Sequence, residues 1–287
     1  MYPQYERKHL FQYGVICALE KLPRGYPVTL CGGIDDVAER AAKAGYGAIE
    51  LHIRDPHKYD TGVLSRAAMG HGLAFSAITT GLECVLSGLS LISDDEGIRR
   101  EAVSKLKGHI ALAERIGCPS VVIGVMRGSI PDQGKYAEYE ERLTEAVLAL
   151  SDYAEGKPVD VLIESINRYV TNYLCSVPET LEYIRKLDRP NVKIHIDTHQ
   201  MNIEDTDLGE AVRACSGKLG YVHLSDSNRK LPGGGNINFI PVMRALYEDY
   251  YDGYLGIESE ECLPGDPALE ECLKMLHDKE HELFDFV

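Results

Sequence analysis

The sequence has no apolar run of the length that a membrane-spanning helix requires, and no apolar segment near its start of the kind found in signal peptides. We therefore expect a cytoplasmic protein with no membrane partner. Low-complexity segments and linker-like stretches are absent as well. With 287 residues and no internal boundary, the chain is expected to form one domain over residues 1–287.

Positive charge is scarce, because 30 Lys and Arg residues stand against 45 Asp and Glu residues and give a formal net charge of −15 at pH 7. Proteins that bind nucleic acid need a basic surface to contact phosphates, so no nucleic-acid partner is expected. The 8 cysteines include no CxxC pair. We expect them to be reduced thiols, most of them buried.

What the sequence does contain is a series of short apolar runs rich in Ile, Val and Leu. They lack the alternation of a strand with one solvated face, which is typical of parallel strands covered on both faces. The candidate strands are residues 14–19, 48–53, 74–79, 120–125, 161–166, 193–197, 221–224 and 255–258.

Helical patterns separate these runs, at residues 34–44, 96–116, 136–153, 177–187, 208–215, 240–247 and 267–285. Strands that alternate with helices in this way predict an α/β fold, the closed (β/α)8 TIM barrel. A doubly wound open sheet is the alternative. The glycine-rich turn that usually follows its first strand is missing from Cys17-Ala18-Leu19-Glu20.

Four successive candidate strands carry an unusual residue at or near the carboxyl end: Glu164, Asp197, His223 and Glu258. Carboxylates within apolar strands are unfavourable unless they are paired or bound to a cation. In a TIM barrel the carboxyl ends of the strands meet at the active site. Three carboxylates and one imidazole predict a site for one divalent ion, with Mn²⁺ favoured, Mg²⁺ or Co²⁺ also suitable, and Zn²⁺ admitted by the histidine.

Each of these residues has a simpler interpretation when it is taken alone. A glutamate at a strand end is often a helix-capping partner or half of a surface ion pair. A lone histidine in a strand is more often a hydrogen-bonded core residue than a ligand. The occurrence of such residues on four consecutive strands favours a shared site.

These residues lie in motifs through which the sequence resembles the xylose isomerase-like TIM-barrel superfamily, and within it the D-tagatose 3-epimerase and inosose isomerase group. The resemblance is densest between residues 161 and 260. Its motifs are Glu164-Ser165-Ile166-Asn167-Arg168-Tyr169, Asp197-Thr198 followed by Met201-Asn202-Ile203-Glu204, His223-Leu224-Ser225-Asp226-Ser227-Asn228-Arg229, and Ile257-Glu258.

The resemblance implies a metal-dependent isomerase that acts on a small sugar or polyol, with Glu164, Asp197, His223 and Glu258 as metal ligands. It also implies that Glu164 and Glu258 form the acid–base pair and that Arg229 holds substrate oxygens. One glutamate would remove the proton next to a ketose carbonyl, and the other would return a proton to the opposite face. We therefore expect 3-epimerisation of a ketose through an enediolate. A homo-oligomer is compatible with the sequence.

The sequence departs from the group's pattern at two positions that are expected to contact substrate. Gln200 stands where a histidine is usual, with His199 one place earlier, and Val170 stands where an acidic residue is common. Glu50 and His52 alternate onto one face of the second strand. They form either part of the pocket wall or a buried hydrogen-bonded pair.

Two further features bear on substrate access. Residues 80–95, between the third strand and its helix, form either a lid or a plain surface loop. The basic residues Arg54, Lys58, Arg127 and Arg168 are scattered along the chain, and no backbone phosphate cradle accompanies them. An unphosphorylated substrate is therefore expected.

Other functions stay open on the same scaffold. A metal-dependent lyase would dehydrate a keto-inositol or cleave a 3-oxo C-glycoside, and product mass would distinguish it from an epimerase. An endonuclease IV-like DNA repair enzyme would need a multi-zinc cluster with more histidines and a basic face. A non-catalytic sugar-binding barrel is disfavoured because the four predicted ligands are intact.

Overall fold

The structure is a computed structural model that describes residues 9–22, 25–260, 262, 263 and 267–283, and its centre is a closed barrel of parallel strands. The strands are β1 (Gln12–Ala18), β2 (Ala48–His52), β3 (Ala74–Thr79), β4 (Ser120–Ile123), β5 (Asp160–Glu164), β6 (Val192–Asp197), β7 (Leu219–Leu224) and β8 (Tyr254–Ile257). Residues 12–15 of β1 pair with residues 254–257 of β8 and close the sheet. The predicted TIM barrel is confirmed. A two-residue strand, Leu30–Cys31, also pairs with the end of β1.

The helices surround this barrel. They are α1 (Ile34–Lys43), α2 (Thr61–Gly70), α3 (Gly81–Ser87), α4 (Glu96–Ile116), α5 (Tyr136–Ala154), α6 (Val177–Leu187), α7 (Thr198–Glu204), α8 (Leu208–Ala214), α9 (Ile240–Glu248) and α10 (Ala268–Glu282). The predicted end of the last helix at residue 285 lies outside the described residues. Within the described ranges, no helix combines the length and hydropathy needed to cross a membrane.

Three helices were not predicted from the sequence, and each has a local reason. The first, α2, has the poor helix former glycine at its second and last positions, Gly62 and Gly70, although the Asp60 side chain caps it by accepting the Val63 N–H at 2.9 Å. The other two, α3 and α7, have 7 residues each. Two turns are too few for a hydrophobic period to show.

Several strands end earlier than the apolar runs suggest. The apolar run 120–125 is longer than β4, which ends at Ile123. Its last residue, Val125, begins a 3₁₀ turn, Val125–Arg127, in which Met126 and Arg127 are buried. Similarly, β5 ends at Glu164 and β8 ends at Ile257, so Glu258 follows its strand. Buried loops at the barrel mouth extend the apolar pattern past the hydrogen-bonded ladder.

The inward face of the barrel differs in character along its length. Ala77, Val122, Leu162 and Tyr221 form a small apolar cluster inside the barrel, separate from the main core between sheet and helices. Because strand side chains alternate, the residue two places after Leu162 also points inward. That residue is Glu164, and the same alternation takes β7 from Tyr221 to His223. The interior therefore changes from apolar to ionisable towards the carboxyl ends of the strands.

The fold buries one histidine of α4, His109, whose ring nitrogens have no hydrogen-bond partner among the described residues, and this predicts acid sensitivity. Burial lowers the pKa of His109 to about 3, whereas a histidine in the unfolded chain titrates near pH 6.5. Between these values the unfolded chain binds more protons, so stability is lost as the pH falls below about 6.5. At pH 5 the loss is about 2 kcal/mol.

We expect His109→Gln to reduce the difference in unfolding free energy between pH 7.5 and pH 5 by about 2 kcal/mol. Denaturant unfolding at both pH values measures it. His71→Gln, at an exposed position just after α2, is the control and should leave the difference unchanged. An equal difference in wild type and His109→Gln would contradict the assignment.

Candidate active site

Three ionisable side chains converge at the carboxyl end of the barrel. Asp197 ends β6, His223 lies in β7 and Glu258 follows β8. One ligand atom from each lies within 4.8 Å of the others. All three residues are at most 5% exposed. The structure therefore brings together three of the four predicted metal ligands in a group that can hold an ion.

The orientation of His223 is fixed by the buried carboxylate of Glu50, which lies outside this group of three. Its Nε2 lies 2.8 Å from Oε2 of Glu50, whose other oxygen accepts a hydrogen bond from the Thr79 hydroxyl. Glu50 lies where the pairing of β2 with β3 shifts in register, an irregularity that re-aims side chains. The ring is thereby held with Nδ1 facing Glu258, 3.6 Å from its Oε2.

Arg229 bridges two of these carboxylates. Its guanidinium hydrogen-bonds the Asp197 carboxylate and lies 2.6 Å from Oε2 of Glu258. The backbone of Arg229 adopts a left-handed conformation with φ of 63°, which is unfavourable for a residue other than glycine and is typical of functional sites. Asp226 organises this loop by accepting N–H groups from Ser227 and Gly233.

The two predicted acid–base residues have opposite pKa shifts. Burial, reinforced by the Glu258 carboxylate, raises the pKa of Glu164 to about 8. Burial acts on Glu258 as well, but Arg229 and His223 outweigh it and lower the pKa of Glu258 below its usual range. In His223, Glu50 and Glu258 overcome the effect of burial and raise the pKa.

Glu164 approaches the group from β5. Its Oε2 lies close enough to Gly124 that a Cβ added there would be 2.9 Å away, so a side chain at position 124 would displace the carboxylate. Glu164 stands apart from the tight group formed by Asp197, His223 and Glu258. It lines a cavity of about 220 Å³ together with Glu258 and Arg229.

The cavity is also lined by residues that the sequence did not indicate, such as Tyr26 and Gly81. The described residues that line it are Tyr26, Pro27, His52, Thr79, Gly81, Val85, Gly124, Val125, Glu164, Ile166, Val170, Gln200, Arg229 and Glu258. The Tyr26 hydroxyl lies 3.3 Å from Nε2 of His52, and burial lowers the pKa of His52 to about 4. His52 is therefore a neutral polar group of the wall at pH 7.

Of the remaining predicted substrate contacts, two line the cavity and two do not. Gln200 lines the cavity, and its Oε1 accepts hydrogen bonds from the backbone and side-chain N–H groups of Asn167. His199 is absent from the lining, and its Nδ1 lies 3.1 Å from the Asp226 carbonyl oxygen. Glu50 lies behind His223 and does not line the cavity, so of the pair on β2 only His52 does.

The segment 80–95 contributes a wall through α3. Gly81 and Val85 of this helix line the cavity. The helix is held from behind, because the buried Glu83 carboxylate lies 3.9 Å from Nε of Arg54 and 3.8 Å from Nζ of Lys105. These ion pairs fix α3 against the barrel as part of the pocket.

Arg127 is fully buried and therefore does not approach a phosphate at the mouth. Its guanidinium donates to the backbone carbonyls of Glu164, Tyr173 and Leu174. The side chain thus ties the end of β5 to the loop that follows it. It positions Glu164 from outside the cavity.

A family model described as xylose isomerase-like TIM barrel matches residues 38–279. The chain belongs to this family. An L-ribulose 3-epimerase from Methylomonas sp. (strain DH-1) is 31% identical over 250 residues, covering 85% of each chain. A ketose 3-epimerase from Arthrobacter globiformis is 31% identical over 235 residues, or 79% of this chain and 78% of that one.

Among solved structures, a D-allulose 3-epimerase from Methylomonas sp. in complex with D-allulose superimposes with a TM-score of 0.76. It is 26% identical, and the match covers 94% of this chain and 93% of that one. These relatives confirm the expected enzyme class, an isomerase of the epimerase type.

The donor set fits the divalent ion that the family implies. His223 Nδ1 is buried, faces Glu258 and has no hydrogen-bond partner among the residues that the structure describes. Such an atom costs about 1–3 kcal/mol, which a cation between the imidazole and the carboxylates would offset. Asp197, His223 and Glu258, with Glu164 at the cavity wall, would hold it through oxygen and nitrogen ligands suited to Mn²⁺, Mg²⁺, Co²⁺ or Zn²⁺.

Glu50 should control metal affinity without touching the ion. Because its carboxylate orients His223, Glu50→Gln should weaken binding of Mn²⁺ to metal-stripped protein by roughly 10–100-fold. Calorimetric titration measures this. Glu39→Gln, at an exposed position of α1, is the matched control. Unchanged affinity in Glu50→Gln would show that the carboxylate does not set the histidine geometry.

Arg127 should matter for turnover through the placement of Glu164. Arg127→Met keeps the apolar stem but removes the guanidinium hydrogen bonds to the backbone carbonyls of Glu164, Tyr173 and Leu174. A misplacement of about 1 Å costs on the order of 10²-fold in rate, so kcat should fall by about that factor while KM changes less. Arg127→Lys should recover part of the loss. Arg100→Met on the surface of α4 is the control, and equal kcat in all variants would refute the positioning role.

Proposed function

We propose that the chain is a divalent-metal-dependent ketose 3-epimerase that acts on an unphosphorylated ketose. The observation that carries this is the placement of Glu164 and Glu258. They line one small cavity from β5 and from the end of β8, with Asp197 and His223 on the strands between. Inversion at a carbon needs one group to remove a proton and another to return it from a different side.

The side chains have distinct tasks in this reaction. A divalent ion bound by the ligand group would polarise the ketose carbonyl and acidify the neighbouring C–H. One glutamate carboxylate accepts the proton of that C–H, and the other glutamate delivers a proton to the opposite face. The N–H groups of Arg229 lie at the cavity wall beside Glu258, where they donate to substrate oxygens as negative charge develops.

The wall chemistry supports a neutral substrate. Among the described residues that line the cavity, Arg229 is the one cationic side chain at neutral pH, and its charge is already paired with Asp197 and Glu258. This pairing disfavours an anionic phosphate, whereas the guanidinium N–H groups can still donate to neutral substrate oxygens. The relatives named for L-ribulose and D-allulose act on or bind unphosphorylated ketoses, and we assign this chain to the same substrate class.

Two lining residues adapt the pocket to its own substrate. Because Asn167 occupies Oε1 of Gln200, the amide Nε2 remains to donate a hydrogen bond to a substrate oxygen. Val170 presents an apolar surface where an acidic residue is common in the group. The substrate thus meets a neutral donor and an apolar contact at these positions.

The two glutamates should be separable from simple binding residues by kinetics. Glu164→Gln and Glu258→Gln keep the side-chain shape but remove the proton acceptor, so each should lower kcat by roughly 10²–10⁴-fold with a smaller effect on KM. D-Allulose and L-ribulose serve as assay substrates, and the metal content of each variant is checked. Glu101→Gln, exposed on α4, is the control. Near-normal turnover in either active-site variant would rule out the proposed pair.

Isotope incorporation tests the reaction itself. In D₂O the epimerised product should carry deuterium on the carbon next to the carbonyl. A product without solvent deuterium would instead support a hydride shift, and an aldose product would support aldose–ketose isomerisation. A product of lower mass would identify a lyase.

A further inference from the structure

A second cluster of metal-ligating side chains lies at the opposite end of β1 from the catalytic cavity. It consists of His9, just before β1, and of His277 and Glu280 on α10. One ligand atom of each lies within 4.8 Å of the others. The two imidazole rings are stacked, with centroids 3.5 Å apart and an interplanar angle of 10°.

The carboxylate of this cluster is held in place as a metal ligand would be. Glu280 is 3% exposed, and its Oε1 accepts the Tyr13 hydroxyl at 2.9 Å. Its Oε2 accepts the backbone N–H of Leu10, also at 2.9 Å. A carboxylate offers about four lone-pair positions, so capacity remains for a cation. Fixed outer partners of this kind are typical of metal sites.

The nitrogen beside this carboxylate is not satisfied. His9 Nδ1 is buried and has no hydrogen-bond partner within the described part of the chain. It lies 3.6 Å from Oε2 of Glu280, too far for a hydrogen bond. Two ligands of a tetrahedral ion with bonds of about 2.1 Å lie about 3.4 Å apart. The 3.6 Å between His9 Nδ1 and Glu280 Oε2 is therefore close to the distance expected of two ligands that share an ion.

We propose that His9, His277 and Glu280 form a second divalent metal site that takes Zn²⁺ or a similar transition ion such as Co²⁺. Two imidazoles and one carboxylate match the ligand preference of these ions and leave a fourth position for water. The rings are stacked, so one of them has to rotate about its Cβ–Cγ bond before a nitrogen of each can bind the same ion. The His9 side chain is 29% exposed, which gives the ion a path from solvent.

The position of the site indicates a structural role. It connects the chain entering β1 to the last helix, beside the seam where β1 pairs with β8. An ion there would fasten the beginning of the barrel to α10. Binding to the native state alone raises stability by mass action, so the site would strengthen the fold without entering the chemistry.

Counting ions tests the proposal independently of catalysis. Metal-stripped protein is dialysed against Zn²⁺ at pH 7.5, and bound metal is measured per chain. Wild type should hold one ion more than His277→Ala or His9→Ala, and His281→Ala, on the same helix at an exposed position, should match wild type. His223→Ala should retain this ion, because its change lies at the catalytic end. In the His223→Ala background, Co²⁺ should give visible absorption bands that disappear when His277→Ala is added.

Thermal unfolding separates a metal site from a simple ion pair. Zn²⁺ should raise Tm in wild type and His281→Ala more than in His277→Ala and His9→Ala. The proposal is overturned if His9→Ala and His277→Ala bind as much Zn²⁺ as wild type. It is also overturned if both variants lose the same stability with and without Zn²⁺, because a protonated His9 paired with Glu280 would then account for the cluster. Failure of the catalytic metal site would leave these comparisons intact.

Discussion

The structure depends on the burial of four carboxylates at one end of the barrel. Glu50, Glu164, Asp197 and Glu258 are each at most 8% exposed, and like charges in a water-poor site repel strongly. His223 and Arg229 compensate three of them, the first between Glu50 and Glu258 and the second between Asp197 and Glu258. Burial instead raises the pKa of the fourth, Glu164, to about 8. The register shift at Glu50 and the left-handed backbone at Arg229 are local deviations that place these charges in contact.

The barrel supplies the frame in which this compensation works. Apolar side chains on the outer face of the sheet pack against the helices, while the inner face ends in ionisable groups. Alternation along β5, β6 and β7 aims Glu164, Asp197 and His223 inward without special loop geometry. Parallel strands bring these residues to the same end, and the pairing of β8 with β7 brings Glu258 next to them.

The sequence was sufficient for the barrel and for the convergence of Asp197, His223 and Glu258, because both follow from strand periodicity and from the common direction of parallel strands. It was not sufficient for Tyr26, Gly81 and Val85, which reach the cavity from loops or a short helix whose path no local pattern encodes. Residues 199 and 200 show the same limit. Helix α7 begins directly after Asp197, so adjacent side chains point in different directions. Only Gln200 lines the cavity.

Charged residues were the hardest to assign by pattern. Arg127 is indistinguishable in the sequence from a surface arginine, because its backbone carbonyl partners lie on a distant segment. The role of Glu50 likewise depends on a contact with a residue 173 positions away. Long-range hydrogen bonds of this kind appear only once the strands are assembled.

The two ion pairs of Arg229 bear on how the proposed metal site would be filled. By pairing with Asp197 and Glu258, the guanidinium supplies positive charge to these carboxylates without an ion. A divalent ion bound by Asp197 and Glu258 would compete with Arg229 for the same oxygens. In the proposed enzyme, metal binding would therefore also free N–H groups of Arg229 to donate to substrate oxygens.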